Sequence, residues 1–453
     1  MESTNLKSWA FDKNGDVVPV NIEVELIRRL PAVVLMGYVG AAGAREACER
    51  IRCAIDASGF TFPRQRVIVT VTGPKSGPEI VRVGNHLDLP IALAILVASG
   101  QIVPKGAGRN VYPMGELSLG GEVRPTRGMV KLATSLRTPD EAALPLEAAL
   151  AAAPYVWART VPKVSTLQEA AAIWGGEVGA WSGDSRSDRP SHVAGLNTED
   201  ICGNRHLIGK LVACAVHRRP LILRGVPGCG KTMIAARLGG LLPPLTTDAE
   251  RELVCTWDLA GLHSTTLRPI ERPFRAPHYT ISEAGLATGA PRVLRPAEAD
   301  LAMYGVLFTD ECTEFPKASL SALSYKLRSM LDGPHKRRPW WVAACNFGPG
   351  WDGQRVDGEL RGIQERHDGR LAFVQRCMFE TTGLEALIVD VDRVTKETVL
   401  DSAERWPSTS ALRLVTEIVG RDPALVTRLL TGEPVPDTFE EDGVDIDEEP
   451  PGE

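Results

Sequence analysis

The sequence predicts an α/β protein of more than one domain, in which a mostly parallel β-sheet is covered on both faces by helices. The chain has 453 residues, which exceeds the usual size of one domain. Short apolar segments, among them PLILRG, GVLFTDE and WWVAACNFG, alternate with helix-like stretches. Alternation of this kind is typical of parallel sheets.

A polar segment rich in Gly, Ser and Asp divides the chain into two main parts. The earlier part also mixes β-rich segments such as RVIVTVTG with Ala- and Leu-rich stretches. We therefore expect a first domain at 15–175, a linker at 176–196, a second domain at 197–382, a short helical lid at 383–432 and an acidic tail at 433–453.

The net charge of −6 hides an uneven distribution. Ten acidic residues and no Lys or Arg lie in 433–453, so the rest of the chain carries a net charge of +4. Such a balance permits contact with nucleic acid without demanding it. The tail is acidic and rich in Pro, and we expect it to be disordered.

Cysteine usage and hydropathy indicate a protein of a reducing compartment. The nine cysteines form no C-x-x-C pair and no Cys/His cluster at zinc spacing. The most apolar segment, 87–100, is too short to span a bilayer and contains an Asp and a Pro, so we expect a buried helix there. No basic-then-apolar signal pattern opens the sequence. These features predict a cytoplasmic location and no membrane partner.

The segment GVPGCGKT, residues 225–232, matches the pattern G-x-x-x-x-G-K-[ST] at every position. It follows an apolar strand and opens a helix, which is the context that this phosphate-binding motif requires. The lysine is expected to reach the β- and γ-phosphates of ATP, and the threonine hydroxyl to bind Mg²⁺. The predicted nucleotide-binding residues here are Gly225, Val226, Pro227, Gly228, Cys229, Gly230, Lys231 and Thr232.

Two further strands end in polar side chains suited to the same site. GVLFTDE ends in Asp310 and Glu311, where the first acid would hold Mg²⁺ and the second would polarise an attacking water. WWVAACN ends in Asn346, an amide that would lie beside the γ-phosphate and position the water. We predict Glu311 and Asn346 as catalytic residues, and Thr232 and Asp310 as the magnesium ligands.

The chain resembles the magnesium-chelatase-like AAA+ ATPases of the ComM/YifB type over roughly residues 20–380. The resemblance rests on GVPGCGKTMIAARL, on RPFRAPHYTISEAGLATGAPRVLRPAEADLAMYGVLF and on LSALSYKLRSMLDG. The earlier segments HLDLPIALAILVASGQI and GELSLGGEVRPTRGMVKLA are similar to the N-terminal domain of that group. The resemblance implies an α+β domain of the ribosomal protein S5 domain 2 and Lon type, followed by an AAA+ P-loop domain with a small helical lid.

The resemblance also implies a ring, most often a homo-hexamer, that hydrolyses ATP to drive DNA helicase or branch-migration activity. In such rings a neighbour's arginine reaches the γ-phosphate, and Arg376 matches that position, with Arg370 as the alternative. Arg413 matches a lid arginine that senses nucleotide. The N-terminal domain is expected to bind a protein partner or to guide DNA.

Alternatives remain open at several points. A chelatase-like chaperone that remodels a protein, or a weakly active nucleotide-binding variant, would share the same motifs. Lys336, Arg337 and Arg338 lie in a turn that is shorter than the corresponding hairpin of the resembled family, and they would contact DNA phosphates or form a solvated basic turn. The segment after Asn346 lacks the cysteines found in that family, which excludes a metal knot there.

A Lon-like domain raises the possibility of proteolysis, which requires a serine activated by a lysine. Lys131 falls near the lysine position, but Gly84, Asn85 and His86 stand where the serine would be, and Ser76 lies too far upstream. We therefore expect no protease activity. His278 and His263 have no partner at metal spacing and are interpreted as structural or surface residues.

Overall fold

The computed structural model describes fourteen segments of the chain: 4–12, 15–37, 41–73, 80–81, 85–104, 111–135, 141–143, 164–175, 196–262, 271–290, 294–330, 337–346, 358–394 and 405–431. Contacts between residues divide the chain into two units. The first comprises Met1–Ser191, Arg251–Pro269 and Ala290–Pro296, and the second comprises His192–Glu250, Ile270–Gly289 and Ala297–Glu453.

The first unit is built on a mixed sheet. Its elements are β1 (Thr4–Asp12), β2 (Val17–Ile27), β3 (Ala32–Met36), α1 (Ala41–Ala57), β4 (Arg66–Thr72), β5 (Ile80–Val81), α2 (Asp88–Ala98), β6 (Val111–Pro113), β7 (Glu116–Leu117), β8 (Val123–Arg124), α3 (Met129–Ser135), β9 (Glu141–Ala143) and α4 (Leu167–Trp174). Among the described residues, five strands pair in the order β3-β4-β2-β1-β5. Within this five-stranded sheet β3 and β4 are parallel, and the other three pairs are antiparallel.

Alternating side chains explain why this sheet has one buried face. In β4, Val67, Val69 and Val71 are buried while the residues between them are less so, as the period of two in a strand requires. Helix α2 is buried from Asp88 to Leu96, which confirms the buried helix predicted from its composition. Strand β1 lies inside the sheet although it precedes the predicted domain start at residue 15, because its alternating pattern buries one face.

The second unit contains a parallel sheet. Its helices and strands are α5 (Ile208–His217), β10 (Leu221–Arg224), α6 (Lys231–Arg237), α7 (Thr247–Ala260, of which the first four residues belong here), β11 (Phe274–Arg275), α8 (Glu298–Leu301), β12 (Val306–Thr309), α9 (Lys317–Ser329), β13 (Trp340–Cys345), α10 (Gly358–Thr382), β14 (Leu387–Asp390), α11 (Thr409–Val419) and α12 (Pro423–Thr431). Its described strands pair in the order β11-β12-β13-β10-β14, and every pair is parallel.

The central strands are buried on both faces, as a parallel sheet between helices requires. Every residue of β13 is buried, and its Trp340, Val342 and Ala344 share a core with α5, α6 and α11. The predicted parallel α/β sheet is therefore confirmed. The lid expected to be helical at 383–432 contains a strand near its start, β14, where the four-residue run LIVD pairs with β10. A run this short carries no helix or strand periodicity of its own.

The division by contacts differs from the contiguous second domain expected at 197–382, because 251–269 and 290–296 cluster with the first unit. Polar contacts of α7 with α3 account for part of this. Asp258 accepts a hydrogen bond from the Val130 N–H at 2.9 Å, and Cys255 Sγ lies 3.2 Å from Thr134 Oγ1. No helix in the described part of the chain is both long and apolar enough to cross a membrane.

Candidate nucleotide-binding site

The loop between β10 and α6 has the backbone that a phosphate-binding loop requires. Gly228 and Gly230 have φ angles of +77° and +101°, which residues with a side chain rarely adopt. No atom lies within 4 Å of the position that a Cβ would take on Gly228, so the loop is open at that point. A Cβ on Gly225 would lie 2.6 Å from the Val391 carbonyl oxygen, which explains the glycine there.

The other residues of the predicted phosphate-binding loop differ in their exposure to solvent. Val226, Pro227 and Gly228 are exposed, whereas Cys229 is buried with its thiol against Gly225. Exposed backbone in a glycine-rich loop presents N–H groups that bind phosphate oxygens. The predicted loop thus has one open side, at Val226–Gly228, and one side packed on the protein.

Lys231 connects this loop to the end of β13. Its Nζ donates to the carbonyl oxygens of Gly225 and Val226, at 2.9 Å and 3.0 Å, and to Oδ1 of Asn346 at 3.0 Å. An ammonium group has three N–H donors, so these contacts use its full capacity. The lysine of the loop and the predicted sensor amide are therefore in direct contact.

Thr232 connects the loop to the end of β12. Its hydroxyl donates to Oδ2 of Asp310 at 2.9 Å. A hydroxyl and a carboxylate placed together are the ligands that P-loop proteins use for Mg²⁺. The open loop, the lysine and this pair together fit a nucleoside triphosphate with Mg²⁺.

Glu311 is held in an unusual backbone conformation. Its φ of +49° lies in the left-handed region, which a non-glycine residue seldom occupies. The residue is exposed, and its N–H donates to Oδ1 of Asp310 at 3.0 Å. Strain of this kind costs about 1–3 kcal/mol and is concentrated at functional sites. The left-handed conformation of Glu311 turns the chain directly after Asp310, whose carboxylate accepts the hydrogen bond from Thr232.

Strand order explains how motifs more than a hundred residues apart come together. In the sheet β13 lies between β10 and β12, with Arg224 beside Cys345 and Thr309 beside Ala343. Because the strands are parallel, the segments that follow all three leave the same edge of the sheet. Ligands of open α/β sheets bind at this carboxyl edge.

The two candidate arginines on α10 have different surroundings. The Arg376 side chain is 73% exposed, and its contact is an ion pair with Glu380 one turn away on the same helix, which raises its pKa. The Arg370 guanidinium donates to the Thr313 carbonyl oxygen at 2.7 Å. Arg376 is therefore accessible to a neighbouring molecule, whereas Arg370 is bound to the turn that follows Glu311.

The structure does not bring Arg413 to this group of residues. Its Nε donates to the Gly240 carbonyl oxygen at 3.0 Å, in the turn Leu238–Leu241 that follows the end of α6. The nucleotide-binding loop lies at the opposite end of α6. A sensor role for Arg413 stays a prediction, and this conformation gives it no contact with Lys231 or Thr232.

Sequence reasoning missed an ion pair and a thiol pair at the same sheet edge. Arg224 donates to both carboxylate oxygens of Asp390, at 2.7 Å and 3.0 Å, and the hydrogen bond raises the arginine's pKa. Cys345 is hydrogen-bonded to Cys312, which lowers the pKa of the Cys345 thiol and raises that of Cys312. Arg224, Cys345 and Asp390 are each the last residue of a strand. Their position at the ends of apolar segments was the sequence feature from which these contacts could have been predicted.

In the first unit, the residues tested against a protease site have other contacts. The Lys131 ammonium donates to the Gly15 carbonyl oxygen at 2.8 Å and lies 5.9 Å from the centre of the Phe11 ring. His86 is buried and packs edge-on against the same ring. Ser76 and Gly84 lie outside the described residues, and Asn85 is half-buried.

Of the two histidines interpreted as structural or surface residues, the structure describes His278. His278 is exposed, with Nδ1 2.9 Å from the Thr280 hydroxyl and its ring near Tyr279. His263 lies outside the described residues, as does Lys336. Within the residues that the structure describes, no group of three or more His, Cys, Asp or Glu side chains could hold a metal ion.

A parallel sheet whose carboxyl edge carries a glycine-rich loop, a buried lysine and a hydroxyl–carboxylate pair defines a P-loop nucleotide-binding domain. Family models agree with this class. The model described as magnesium chelatase, subunit ChlI, matches residues 197–330, and one described as subunit ChlI of Mg-chelatase matches residues 22–146. The chain belongs to the magnesium-chelatase-like family that includes the YifB and ComM proteins.

Individual relatives align with most of this chain but with only part of their own length. The YifB protein of Salmonella typhimurium is 31% identical over 313 residues, which is 69% of this chain and 60% of the relative. An uncharacterized protein of Mycobacterium tuberculosis is 34% identical over 327 residues, and the competence protein ComM of Haemophilus influenzae is 30% identical over 314. Both alignments cover 68% of this chain and 60% of the relative, so the chain spans about three fifths of these proteins.

Proposed function

We propose that the second unit binds and hydrolyses ATP with Mg²⁺, and that the protein uses this hydrolysis as a ring-forming motor that acts on DNA. The contact of Lys231 with Asn346 and that of Thr232 with Asp310 carry the first half of this proposal. They join three separate sequence motifs at one sheet edge. The family supports the same interpretation, because the magnesium-chelatase model matches residues 197–330, which include the loop and the Thr232–Asp310 pair, and this family suggests an AAA+-type ATPase.

Each residue of the group has a part in binding the triphosphate. The loop backbone would hold the phosphates, and Lys231 would exchange a carbonyl contact for a β- or γ-phosphate oxygen. Asn346, already in contact with Lys231, would orient a water at the γ-phosphate. Mg²⁺ held by Thr232 and Asp310 would neutralise charge on the β- and γ-phosphates.

Glu311 is the proposed general base. Its exposed side chain follows directly after Asp310, and it stands at the edge of the sheet rather than in the core. A carboxylate in this place accepts a proton from the attacking water while Asn346 keeps that water in line. The proton then resides on Glu311 until the products leave.

Arg376 is exposed, and on this proposal it completes the nucleotide-binding site of a second copy of the chain. A cation supplied by a neighbour stabilises the charge that develops on the transferred phosphoryl group. On this proposal the protein assembles into a ring, a homo-hexamer by analogy with its family, and each interface holds one nucleotide. Arg370 is the less suitable donor, because its guanidinium donates to the Thr313 carbonyl oxygen and its side chain is less exposed than that of Arg376, 51% against 73%.

DNA as the substrate is supported by a relative and by charge. The Haemophilus influenzae relative is named a competence protein, which accords with the DNA substrate that the family resemblance implies. The chain before residue 433 carries a net charge of +4, which suits a polyanion. The magnesium chelatase name of the family model supports the second candidate, a chaperone-like ATPase that remodels a protein through the first unit.

ATPase measurements with and without forked DNA test the proposal. We expect Mg²⁺-dependent hydrolysis that DNA stimulates, together with an increase in particle size when nucleotide is added. Hydrolysis that no DNA alters, combined with no DNA binding at low salt, would leave the protein-remodelling candidate. Absence of nucleotide binding would contradict both candidates.

A further inference from the structure

Arginines collect at the edge of the parallel sheet opposite to the nucleotide-binding loop. Arg218 precedes β10, Arg272 precedes β11, and Arg338 precedes β13, each by one to three residues. Since these strands are parallel, the segments before them meet at the amino edge, just as those after them meet at the carboxyl edge. The three side chains are only partly exposed.

Hydrogen bonds to backbone carbonyl groups hold these guanidinium groups in place. Arg272 donates to the carbonyl oxygens of Pro243, Pro244 and Tyr304, with lengths of 2.5 Å for the first and 3.3 Å for the second. The Tyr304 N–H in turn donates to the Arg337 carbonyl oxygen at 3.0 Å. The segment before β11 is thereby tied, through the segment before β12, to the one before β13.

The same kind of bond links the other two arginines. Arg218 Nη1 donates to the Arg338 carbonyl oxygen at 2.6 Å, and Arg338 Nη1 donates to the Thr381 carbonyl oxygen at 3.1 Å. A guanidinium group has five N–H donors, and Arg338 directs one of them to this carbonyl. The Thr381 carbonyl orients the Arg338 guanidinium group, but it does not neutralise its charge.

The charged neighbours of Arg272 have the same sign as Arg272 itself. Burial first, and then the charges of Arg218 and Arg413, together lower its pKa to about 9. Burial likewise lowers the pKa of Arg338, and burial together with Arg338 lowers that of Arg218 to about 10. Within the described part of the chain, no carboxylate forms an ion pair with Arg272 or Arg338. Such a concentration of positive charge is costly unless an anion binds beside it.

We propose that Arg218, Arg272 and Arg338 form a second anion-binding site, at the amino edge of the sheet, which takes the phosphate backbone of a nucleic acid. The aromatic residues beside this edge, Tyr304 and Trp340, are buried and so not placed to stack on bases. Phosphate contacts position a strand without reading its sequence. The site lies on the opposite edge from the nucleotide-binding loop, so both can be occupied together.

This inference rests on the proposed action on DNA and adds where the DNA is held. The test is binding of a short fluorescein-labelled single-stranded DNA by the full chain, followed by fluorescence anisotropy over a range of salt concentrations. We expect Arg338→Gln to weaken binding and to make the slope of log K against log salt less steep by about 0.7, the value for one lost phosphate contact. The loss should be equal for two unrelated DNA sequences.

Two control variants separate charge at this site from fold and from total charge. Arg338→Lys keeps the charge and is expected to retain most of the binding. Arg393→Gln removes an exposed cation that follows the carboxyl end of β14, at the opposite edge of the same sheet, and is expected to bind as the unmodified chain does. Thermal unfolding of each variant verifies that the fold is intact.

The outcomes distinguish this inference from the proposed function. If the unmodified chain binds DNA and Arg338→Gln binds equally well with the same salt slope, the second site is wrong while the DNA proposal stands. If the unmodified chain hydrolyses ATP but binds no DNA, both fall. If inorganic polyphosphate binds and DNA does not, the nucleic-acid assignment of the site is wrong.

Discussion

Lys231 connects the separate parts of the proposed nucleotide-binding site. Its ammonium group contacts the loop at Gly225 and Val226 and the side-chain amide of Asn346, which is predicted to position the water, so one side chain joins two strand ends. A triphosphate entering the loop competes for this cation. Binding of nucleotide is therefore expected to separate Lys231 from at least one present partner and to change the position of Asn346.

Glu311→Gln tests the assignment of the general base. The variant should bind ATP as tightly as the unmodified chain, because the amide keeps the size of the side chain. Turnover should fall by about 10²- to 10⁴-fold, since glutamine accepts no proton from water. Binding is measured with a fluorescent ATP analogue and turnover by phosphate release.

The matched control is Glu283→Gln, which removes another exposed carboxylate of the second unit. It should hydrolyse ATP at the unmodified rate. If Glu311→Gln retains turnover within a few fold of that control, another group activates the water.

At the scale of elements, the contact of α7 with α3 contains a titrating acid. Asp258 is buried and accepts hydrogen bonds from the N–H groups of Val130 and Lys131, at 2.9 Å and 3.3 Å. Burial raises its pKa from 3.8 to about 7, and the backbone donors oppose that rise without cancelling it. Asp258 and both of its N–H donors lie within the first unit.

The pKa of Asp258 predicts how stability depends on pH. A carboxyl group with a raised pKa binds more protons in the folded state, so its stabilising contribution is complete below pH 3.8 and is lost as pH rises through about 7. Three pKa units correspond to at most about 4 kcal/mol. Urea unfolding followed by tryptophan fluorescence should therefore give a higher midpoint near pH 5 than near pH 8.

Asp258→Asn should flatten this dependence, because asparagine accepts the same N–H groups without titrating. Part of the dependence should remain, since burial raises the pKa of Asp88 to about 6 in the same unit. Asp16→Asn, at an exposed acid, is the control and should leave the profile unchanged. An unaltered profile in Asp258→Asn would show that another group is responsible.

At the scale of the whole molecule, the proposed ring makes Arg376 act in trans. Arg376→Ala should bind ATP but lose about 10³-fold or more in turnover, and Lys231→Ala should fail to bind ATP. A mixture of the two variants should recover part of the activity, because Lys231→Ala subunits supply Arg376 to sites on Arg376→Ala subunits. Phosphate release measured over a series of mixing ratios detects this recovery.

The control is each variant mixed with itself at the same total concentration, which should stay inactive. If the mixture is no more active than the variants alone while particle size shows assembly, Arg376 does not act across an interface. Arg370, bound to the Thr313 carbonyl oxygen, would then be tested in the same manner.

The sequence alone was sufficient for the central strands and for the residues at their ends. β10, β12 and β13 are strands of four to six residues in which apolar side chains predominate, and such strands are typical of the buried centre of a parallel sheet. Gly225, Gly230 and Lys231 belong to a pattern whose glycines let the backbone approach a phosphate group. Local features of this kind can be predicted from the amino-acid sequence alone.

Only the tertiary structure decided which distant residues meet. Strand order β12-β13-β10 placed Asp310 beside Thr232 and Asn346 beside Lys231, and strand direction gathered Arg218, Arg272 and Arg338 at the opposite edge. β14 was missed because four residues carry no periodicity, and Asp258 because burial of an acid depends on what covers it. Spacing along a chain encodes local geometry, whereas order and direction in a sheet depend on how all its strands pack together.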